Sequence, residues 1–284
     1  MKRIVFAAGA IVLLLFMLIG CDPLGQSDEI TTAPPVTTAT PAEEFEYHTY
    51  DDGTKVWITK YSGNATHVVV PAKIDGLPVK IVGGFYESAV ESVWIPDGVE
   101  QIDMLAFAKC TALTEVKLSD SVRVLQQSAF EGCTALVTVA LPPKLTGMQG
   151  DVFRDCTSLT SITIPGTLAD SYENFSGCTA LRTVTFAAGE SNLLMPLAGT
   201  PVREIIIEGD ARTMSPDFFV GCPSLESITF LGDAPNLLEE KPLCSPYFGD
   251  IPTPEDYTVT LYYPKDAQGW DGIEAHECYR LVPQ

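Results

Sequence analysis

The feature that most constrains the fold is a segment of about 23 residues that recurs along the chain. One copy, CTALTEVKLSDSVRVLQQSAFEG, begins at Cys110, and similar segments begin at Cys133, Cys156 and Cys178. These cysteines and Cys222 are spaced 23, 23, 22 and 44 residues apart, so the last interval equals two periods. A fixed period of this size is typical of a solenoid, in which each coil is one repeat that packs on its neighbours.

Each repeat begins with three apolar positions, for example Leu113, Val116 and Leu118. The last two are separated by one residue, and a β-strand points such residues to the same face. The pattern predicts one short parallel strand per repeat of 22–23 residues. A second apolar pair follows. Next comes an apolar plug residue, which we expect in the core: Phe85, Phe107, Phe130, Phe153, Phe175, Leu197 and Phe219.

This combination of positions resembles the BspA-type leucine-rich repeat of bacterial surface proteins. Residues 129–133 (AFEGC) are nearly the family pattern, and the resemblance extends over roughly residues 46–284. Ser88 and Thr200 replace the cysteine in two units, and Lys109 stands where the family places glycine. The predicted fold is a repeat solenoid: a leucine-rich-repeat-like right-handed coil, mostly β and loop with short helical turns, capped at both ends.

Five segments follow from this pattern. We predict a lipoprotein signal peptide over residues 1–20, a Thr/Pro-rich disordered linker over 21–44 and an amino-terminal cap over 45–67. About eight leucine-rich coils occupy residues 68–232, and a carboxyl-terminal cap occupies 233–284. The linker is rich in proline and threonine and has few large apolar residues, so it cannot form a packed core.

The first residues have the features of an export signal. Lys2 and Arg3 precede an apolar run that ends in the sequence LIGC at Cys21. This arrangement is typical of a lipoprotein signal, in which the cysteine receives a diacylglycerol after cleavage. We therefore expect an exported chain, lipid-anchored through Cys21 on the extracellular side of a bacterial membrane. An ordinary signal peptide or an uncleaved apolar anchor are the alternatives.

The charge balance is strongly acidic. The chain has 17 basic and 37 acidic residues, and removal of Lys2 and Arg3 leaves 15 against 37, a net charge of −22. Such a chain repels phosphate backbones, so no nucleic-acid partner is expected. The charge favours solubility of an exposed surface, although a cationic partner or calcium are alternatives. The acidic residues lack the spacing of a calcium loop, and no cofactor is expected.

The eight cysteines fall into different groups. Five recur with the repeat, and we expect them to be free thiols that act as small buried apolar groups. Cys244 and Cys278 break the period and lie in the predicted carboxyl-terminal cap. If any pair forms a disulfide in this exported chain it is this one, but spacing cannot fix the connectivity.

Residues for catalysis or metal binding are hard to find in this sequence. The three histidines, His48, His67 and His276, have neither a cysteine nor a second histidine at ligand spacing. Phosphate-binding, dinucleotide-binding and nucleophile motifs are also missing from the sequence. We therefore do not expect an enzyme.

The outward positions of the predicted strands form a broad face suited to binding. Most are serine or threonine, and the exceptions define the candidate binding face: Trp94, Glu115, Lys117, Glu204 and Ile206. The alternative for the tryptophan is packing beneath the amino-terminal cap. The favoured function is non-catalytic binding of an extracellular protein, and the resemblance implies adhesion or contact with host or neighbouring cells. The alternative is an envelope structural or glycan-capture lipoprotein.

Overall fold

The computed structural model describes residues 38–50, 52–168, 174–189, 197, 199–210, 213–214, 222–237, 259–273 and 279–284. All of them belong to one unit of the chain, Val36–Gln284. The proposed lipid site at Cys21, the plug Phe219 and the possible disulfide between Cys244 and Cys278 lie outside the described residues.

The described residues are mostly short strands and turns. The strands are β1 (Phe45–Thr49), β2 (Val56–Tyr61), β3 (His67–Val69), β4 (Lys73–Ile74), β5 (Leu77–Val82), β6 (Ser92–Trp94), β7 (Gln101–Ile102), β8 (Glu115–Lys117), β9 (Val124–Leu125), β10 (Gly147–Met148), β11 (Ser161–Gly166), β12 (Thr183–Gly189), β13 (Glu204–Ile207), β14 (Thr213–Met214), β15 (Ser227–Phe230), β16 (Asn236–Leu237), β17 (Val259–Tyr263) and β18 (Tyr279–Pro283). Two 3-10 helices, Ala42–Glu44 and Trp270–Gly272, complete the described elements. Both lie outside the predicted repeats, whose described turns are not helical.

Where the first strand of a repeat forms, it stacks in parallel on its neighbours, which confirms the predicted solenoid. Strands β3, β6 and β8 form one sheet, and β11, β12, β13, β15, β17 and β18 form a second one in that order. The inward residues Val68, Val93 and Val116 are in register along the first sheet. Outward residues lie between them and form the strand face of the solenoid.

A second strand per coil makes the prediction of a single strand incomplete. Parallel pairing runs from β2 through β5, β7 and β9 to β10, and β14 pairs with β16. The second apolar pair of the repeat supplies the inward residues, with Ile102, Leu125 and Met148 in register. A strand of two residues has no alternating pattern, so sequence periodicity cannot reveal it.

The strand face is interrupted between β8 and β11. Within the described residues, no strand pairing and no main-chain hydrogen bond joins residues 138–141 to either neighbour, although the Thr160 N–H donates to the Val137 carbonyl at 3.0 Å. The side chain of Val139 is still buried. Pro142 and Pro143 follow directly, and each lacks the N–H group that would bond to a neighbouring coil. This interruption divides the strand face into two sheets.

The plug residues form a continuous column of rings. Neighbouring centroids from Phe85 through Phe107, Phe130 and Phe153 to Phe175 are 4.8, 5.3, 5.6 and 6.0 Å apart. The rings of the last three pairs are almost parallel, with interplanar angles of 5°, 6° and 2°. All of these side chains are buried, which confirms the core assignment of the plugs that the structure describes.

The repeated cysteines connect successive coils through their thiols, and all five are buried and form no disulfide, as predicted. Each thiol donates a hydrogen bond to the carbonyl of the plug residue one coil earlier. The pairs are Cys110 with Phe85 (2.9 Å), Cys133 with Phe107 (3.1 Å), Cys156 with Phe130 (3.1 Å), Cys178 with Phe153 (3.0 Å) and Cys222 with Leu197 (3.3 Å). We call this arrangement the thiol ladder.

The residue before each of the first four repeated cysteines adopts a left-handed backbone conformation, which explains the family preference for glycine at this turn. The φ angle is 58° at Lys109, 71° at Gly132, 56° at Asp155 and 77° at Gly177. A side chain in this conformation crowds the following carbonyl oxygen, whereas glycine has no Cβ. The non-glycine residues at this turn are therefore strained.

Replacement of Gly132 by alanine should lower the free energy of unfolding by about 1 kcal/mol. The nearest atom to the new Cβ lies 3.4 Å away, so the cost comes from the backbone. Gly147 provides the matched control, since its φ is not positive and its added Cβ would meet Val124 at 3.5 Å. Urea unfolding of both variants tests this prediction, and equal midpoints would contradict it.

The amino-terminal end of the solenoid is closed by a hairpin and a preceding segment. Strands β1 and β2 pair in antiparallel fashion, and Phe45 and Tyr61 extend the column of rings beyond Phe85. The Thr40 N–H donates to the Val69 carbonyl at 2.9 Å, and the Val69 N–H donates to Thr40 Oγ1 at 3.1 Å. Thr40 therefore satisfies part of the open edge of β3, and contacts with the fold begin before Phe45.

Candidate binding faces

The amino-terminal part of the strand face contains an aromatic residue beside a cation. Val93 and Val116 point into the core, so Trp94 on β6 and Lys117 on β8 point outward. Trp94 is half-buried, Lys117 is exposed, and Lys117 Nζ lies 5.1 Å from the centroid of the Trp94 ring. This is the geometry of a cation–π contact, which holds both groups in a defined arrangement.

Polar side chains lie next to this pair. His67 Nδ1 is 2.9 Å from Ser92 Oγ, and His67 Nε2 is 3.9 Å from Glu91 Oε2. The exposed Glu115 on β8 lies directly opposite Ser92 on β6. The surface therefore combines an aromatic ring with groups of both charges.

The other sheet of the strand face has a different surface. Ile206 is half-buried on β13, where it lies between Thr185 and Thr229. Glu204 lies one row away, between serine and threonine positions of the neighbouring strands. Around β13 the outward positions are mostly serine and threonine, and the row of Ile206 continues through Thr229 to Tyr262 and Val282.

The five predicted face residues therefore do not form one cluster. Trp94, Glu115 and Lys117 lie together on β6 and β8, whereas Glu204 and Ile206 lie on β13 in the other sheet. The interruption at residues 138–141 separates the two groups. We treat the first group as the candidate protein-binding face.

Sequence reasoning missed a second face on the outside of the amino-terminal hairpin. Three cross-strand pairs lie there: Glu46 with Lys60, His48 with Trp57, and Tyr50 with Lys55. The pairs are an ion pair, an edge-to-face ring contact with centroids 6.3 Å apart, and a cation–π contact at 4.2 Å. The alternation of the buried Val56 and Ile58 with Trp57 is the sequence signal that could have located this face.

Five other large apolar side chains among the described residues are exposed, and two of them are adjacent in the chain. They lie at Tyr86, Met104, Leu105, Val137 and Leu231, with exposed fractions of 40–58%. Singly exposed apolar residues are common on protein surfaces and need no ligand to explain them.

The described part of the chain has neither a cluster of metal ligands nor a helix suited to a membrane. In the described ranges, no three or more histidine, cysteine or acidic residues come together as a metal site. The described helices include none with the length and apolar character to cross a membrane. His48 and His67 lie on different strands, and His276 lies outside the described residues.

Comparison with known proteins identifies the repeat type. Residues 83–195 match the model of the BspA type leucine rich repeat region, with six copies. The chain is 28% identical to the leucine-rich repeat protein of T. pallidum, with a TM-score of 0.52, over 69% of this chain and 87% of that one. No curated protein matches this chain.

A second similar structure is a leucine rich cell surface protein from Faecalibacterium prausnitzii A2-165. It is 28% identical, with a TM-score of 0.57, over 68% of this chain and 54% of that chain. Residues 83–195 therefore consist of BspA-type leucine-rich repeats, and the fold of the chain is similar to that of these two leucine-rich repeat proteins.

Proposed function

We propose that this chain is a lipid-anchored surface protein that binds an extracellular protein through the strand face around Trp94, without catalysis. The observation that carries the proposal is the half-buried Trp94 ring on the central strand of a parallel sheet, with Lys117 beside it on the next strand. A tryptophan at the centre of a mixed polar surface is the typical residue that dominates the energy of a protein interface.

The surroundings of the ring favour a protein over a small molecule. The strand face is a row of outward side chains, whereas small ligands occupy concave pockets. Glu91 contacts His67 on this surface and Glu115 lies opposite Ser92, so a partner with complementary charges would be oriented on it. Adhesion to another cell would require such a partner to be exposed on that cell.

Replacement of Trp94 by alanine should weaken binding of the partner by about 2 kcal/mol, or roughly 30-fold. Residues 22–284, which retain Thr40, would be titrated against an array of extracellular proteins, and hits would be measured by surface plasmon resonance. Met104→Ala is the control, because Met104 is 58% exposed and lies off the strand face. Equal losses in both variants would contradict the assignment to the strand face.

The membrane attachment is proposed from the sequence at Cys21 and from the cell-surface description of one similar protein. Replacement of Cys21 by alanine should remove the thiol that accepts the lipid, so the chain should lose its diacylglycerol. Metabolic labelling with a radioactive fatty acid measures this directly. Label retained in Cys21→Ala would show that the cysteine is not the acceptor.

A further inference from the structure

The indole of Trp57 carries a hydrogen-bond donor that the described chain does not satisfy. Its Nε1 atom is buried and has no hydrogen-bond partner among the described residues. A buried donor without an acceptor is destabilising and rare in folded proteins, and one explanation is an acceptor supplied from outside the chain. A bound ligand that carries an oxygen acceptor would satisfy this donor.

The surroundings of Trp57 indicate which molecule could supply the acceptor. Trp57 lies on the outer face of the hairpin between His48 on β1 and Ile81 on β5. His48 is exposed, and its ring meets the tryptophan ring at 64°. The next cross-strand pair places Tyr50 beneath Lys55 Nζ. The face thus presents aromatic rings with polar groups at their edges.

The charges on this face argue against an anionic ligand. Lys60 is paired with Glu46, Lys80 Nζ is 2.8 Å from Glu100 Oε1, and Lys55 is engaged with the Tyr50 ring. The whole chain has a net charge of −20, which repels polyanions at long range. A neutral ligand with apolar C–H faces and many oxygen acceptors meets these conditions.

We propose that the outer face of the β1–β2 hairpin binds a neutral oligosaccharide. The C–H face of a pyranose ring packs on the electron-rich face of an aromatic ring such as the half-buried indole of Trp57. Because Trp57 Nε1 is buried, a sugar oxygen accepts its hydrogen bond only when the side chains that cover this atom shift on binding. His48 supplies a second polar group at the edge of the same site. Binding is non-covalent and changes no bond in the sugar.

The test uses residues 22–284 and an array of neutral oligosaccharides that includes chitohexaose, cellohexaose and mannohexaose. The hits are then titrated by calorimetry. Trp57→Ala should weaken binding by about tenfold or more, because the aromatic surface and the donor are both lost. Trp57→Phe keeps an aromatic ring without the N–H group and should weaken binding by about fivefold. Trp94→Ala should leave sugar binding unchanged, since Trp94 lies in the sheet of β3, β6 and β8, whereas Trp57 lies in the sheet of β1, β2 and β5.

Thermal unfolding separates a binding defect from a folding defect. Trp57→Phe removes the unsatisfied donor, so its unfolding midpoint should equal or exceed that of the unaltered chain. Absence of binding to every neutral oligosaccharide on the array would overturn the proposal, and so would unchanged affinity in Trp57→Ala. The proposal is independent of the protein-binding function, because loss of protein binding in Trp94→Ala and loss of sugar binding in Trp57→Ala are separate outcomes.

Discussion

Replacement of Phe130 by alanine should lower the free energy of unfolding by about 3–5 kcal/mol. Its ring is fully buried in the middle of the plug column, 5.3 Å from the Phe107 centroid and 5.6 Å from the Phe153 centroid. Alanine would leave a cavity in two interfaces at once, and a solenoid is stable only through contacts between adjacent coils. The carbonyl oxygen of Phe130 also accepts a hydrogen bond from the Cys156 thiol. This bond limits how far the backbone can relax into the cavity.

Urea unfolding monitored by circular dichroism measures this loss. Val137→Ala is the matched control in the next coil, because Val137 is 48% exposed and its truncation should change stability by less than about 0.5 kcal/mol. An unchanged unfolding midpoint for Phe130→Ala would show that the plug column does not stabilise the solenoid.

The second large effect is loss of the fold at alkaline pH through the thiol ladder. Burial raises the pKa of Cys110 from its ordinary value of 9.0 to about 11 and that of Cys178 to about 12. Burial likewise raises the pKa of Cys222 to about 12, and it raises the pKa values of Cys133 and Cys156 further. The cause is desolvation, since the thiolate would lie in an apolar interior.

The direction of the pH effect follows from which state binds more protons. Below pH 9 the thiols are protonated in both states, and the stability is complete. Above that value the unfolded thiols lose protons while the folded ones retain them, so stability falls as pH rises. Each thiol contributes about 1.4 kcal/mol per pH unit, and five contribute about 7 kcal/mol per unit. A total stability of about 5–15 kcal/mol would be lost within one or two units above pH 9.

Unfolding in urea at a series of pH values from 8 to 11, with a reductant present, measures this slope. Cys133→Thr is the control, because Thr200 shows that a hydroxyl residue fits this place in the repeat, where Thr200 Oγ1 donates to the Leu197 carbonyl at 2.5 Å. In this variant the free energy of unfolding should fall less steeply with pH, by about 1.4 kcal/mol per pH unit. Titration of tyrosine and lysine affects both proteins equally and cancels in the comparison. Identical slopes would show that the thiols do not govern alkaline stability.

The sequence predicted the parts of the fold that depend on the period. Phe130 and Cys133 recur at fixed intervals, and the structure places them in the plug column and in the thiol ladder. The alternation around Val93 and Val116 likewise located the inward and outward sides of β6 and β8. Repetition makes these inferences reliable, because each copy tests the same packing.

The features that the sequence did not predict are local departures from the repeat. Residues 138–140 have the residue types of a strand, yet they pair with neither neighbour, since hydrogen bonding depends on the geometry of both adjacent coils. Trp57 lies in the hairpin, where no second copy exists for comparison. Its unsatisfied Nε1 atom is visible only when the surrounding side chains are in place.

The most direct test of the central claim is photo-crosslinking on cells that display the full chain. A benzoylphenylalanine residue would replace Lys117 on the strand face or, as a control, the 58% exposed Met104 away from it. Protein adducts formed from position 117 and not from position 104 are the expected result. Adducts from position 104 alone, or from neither position, would contradict a protein-binding role for the face around Trp94.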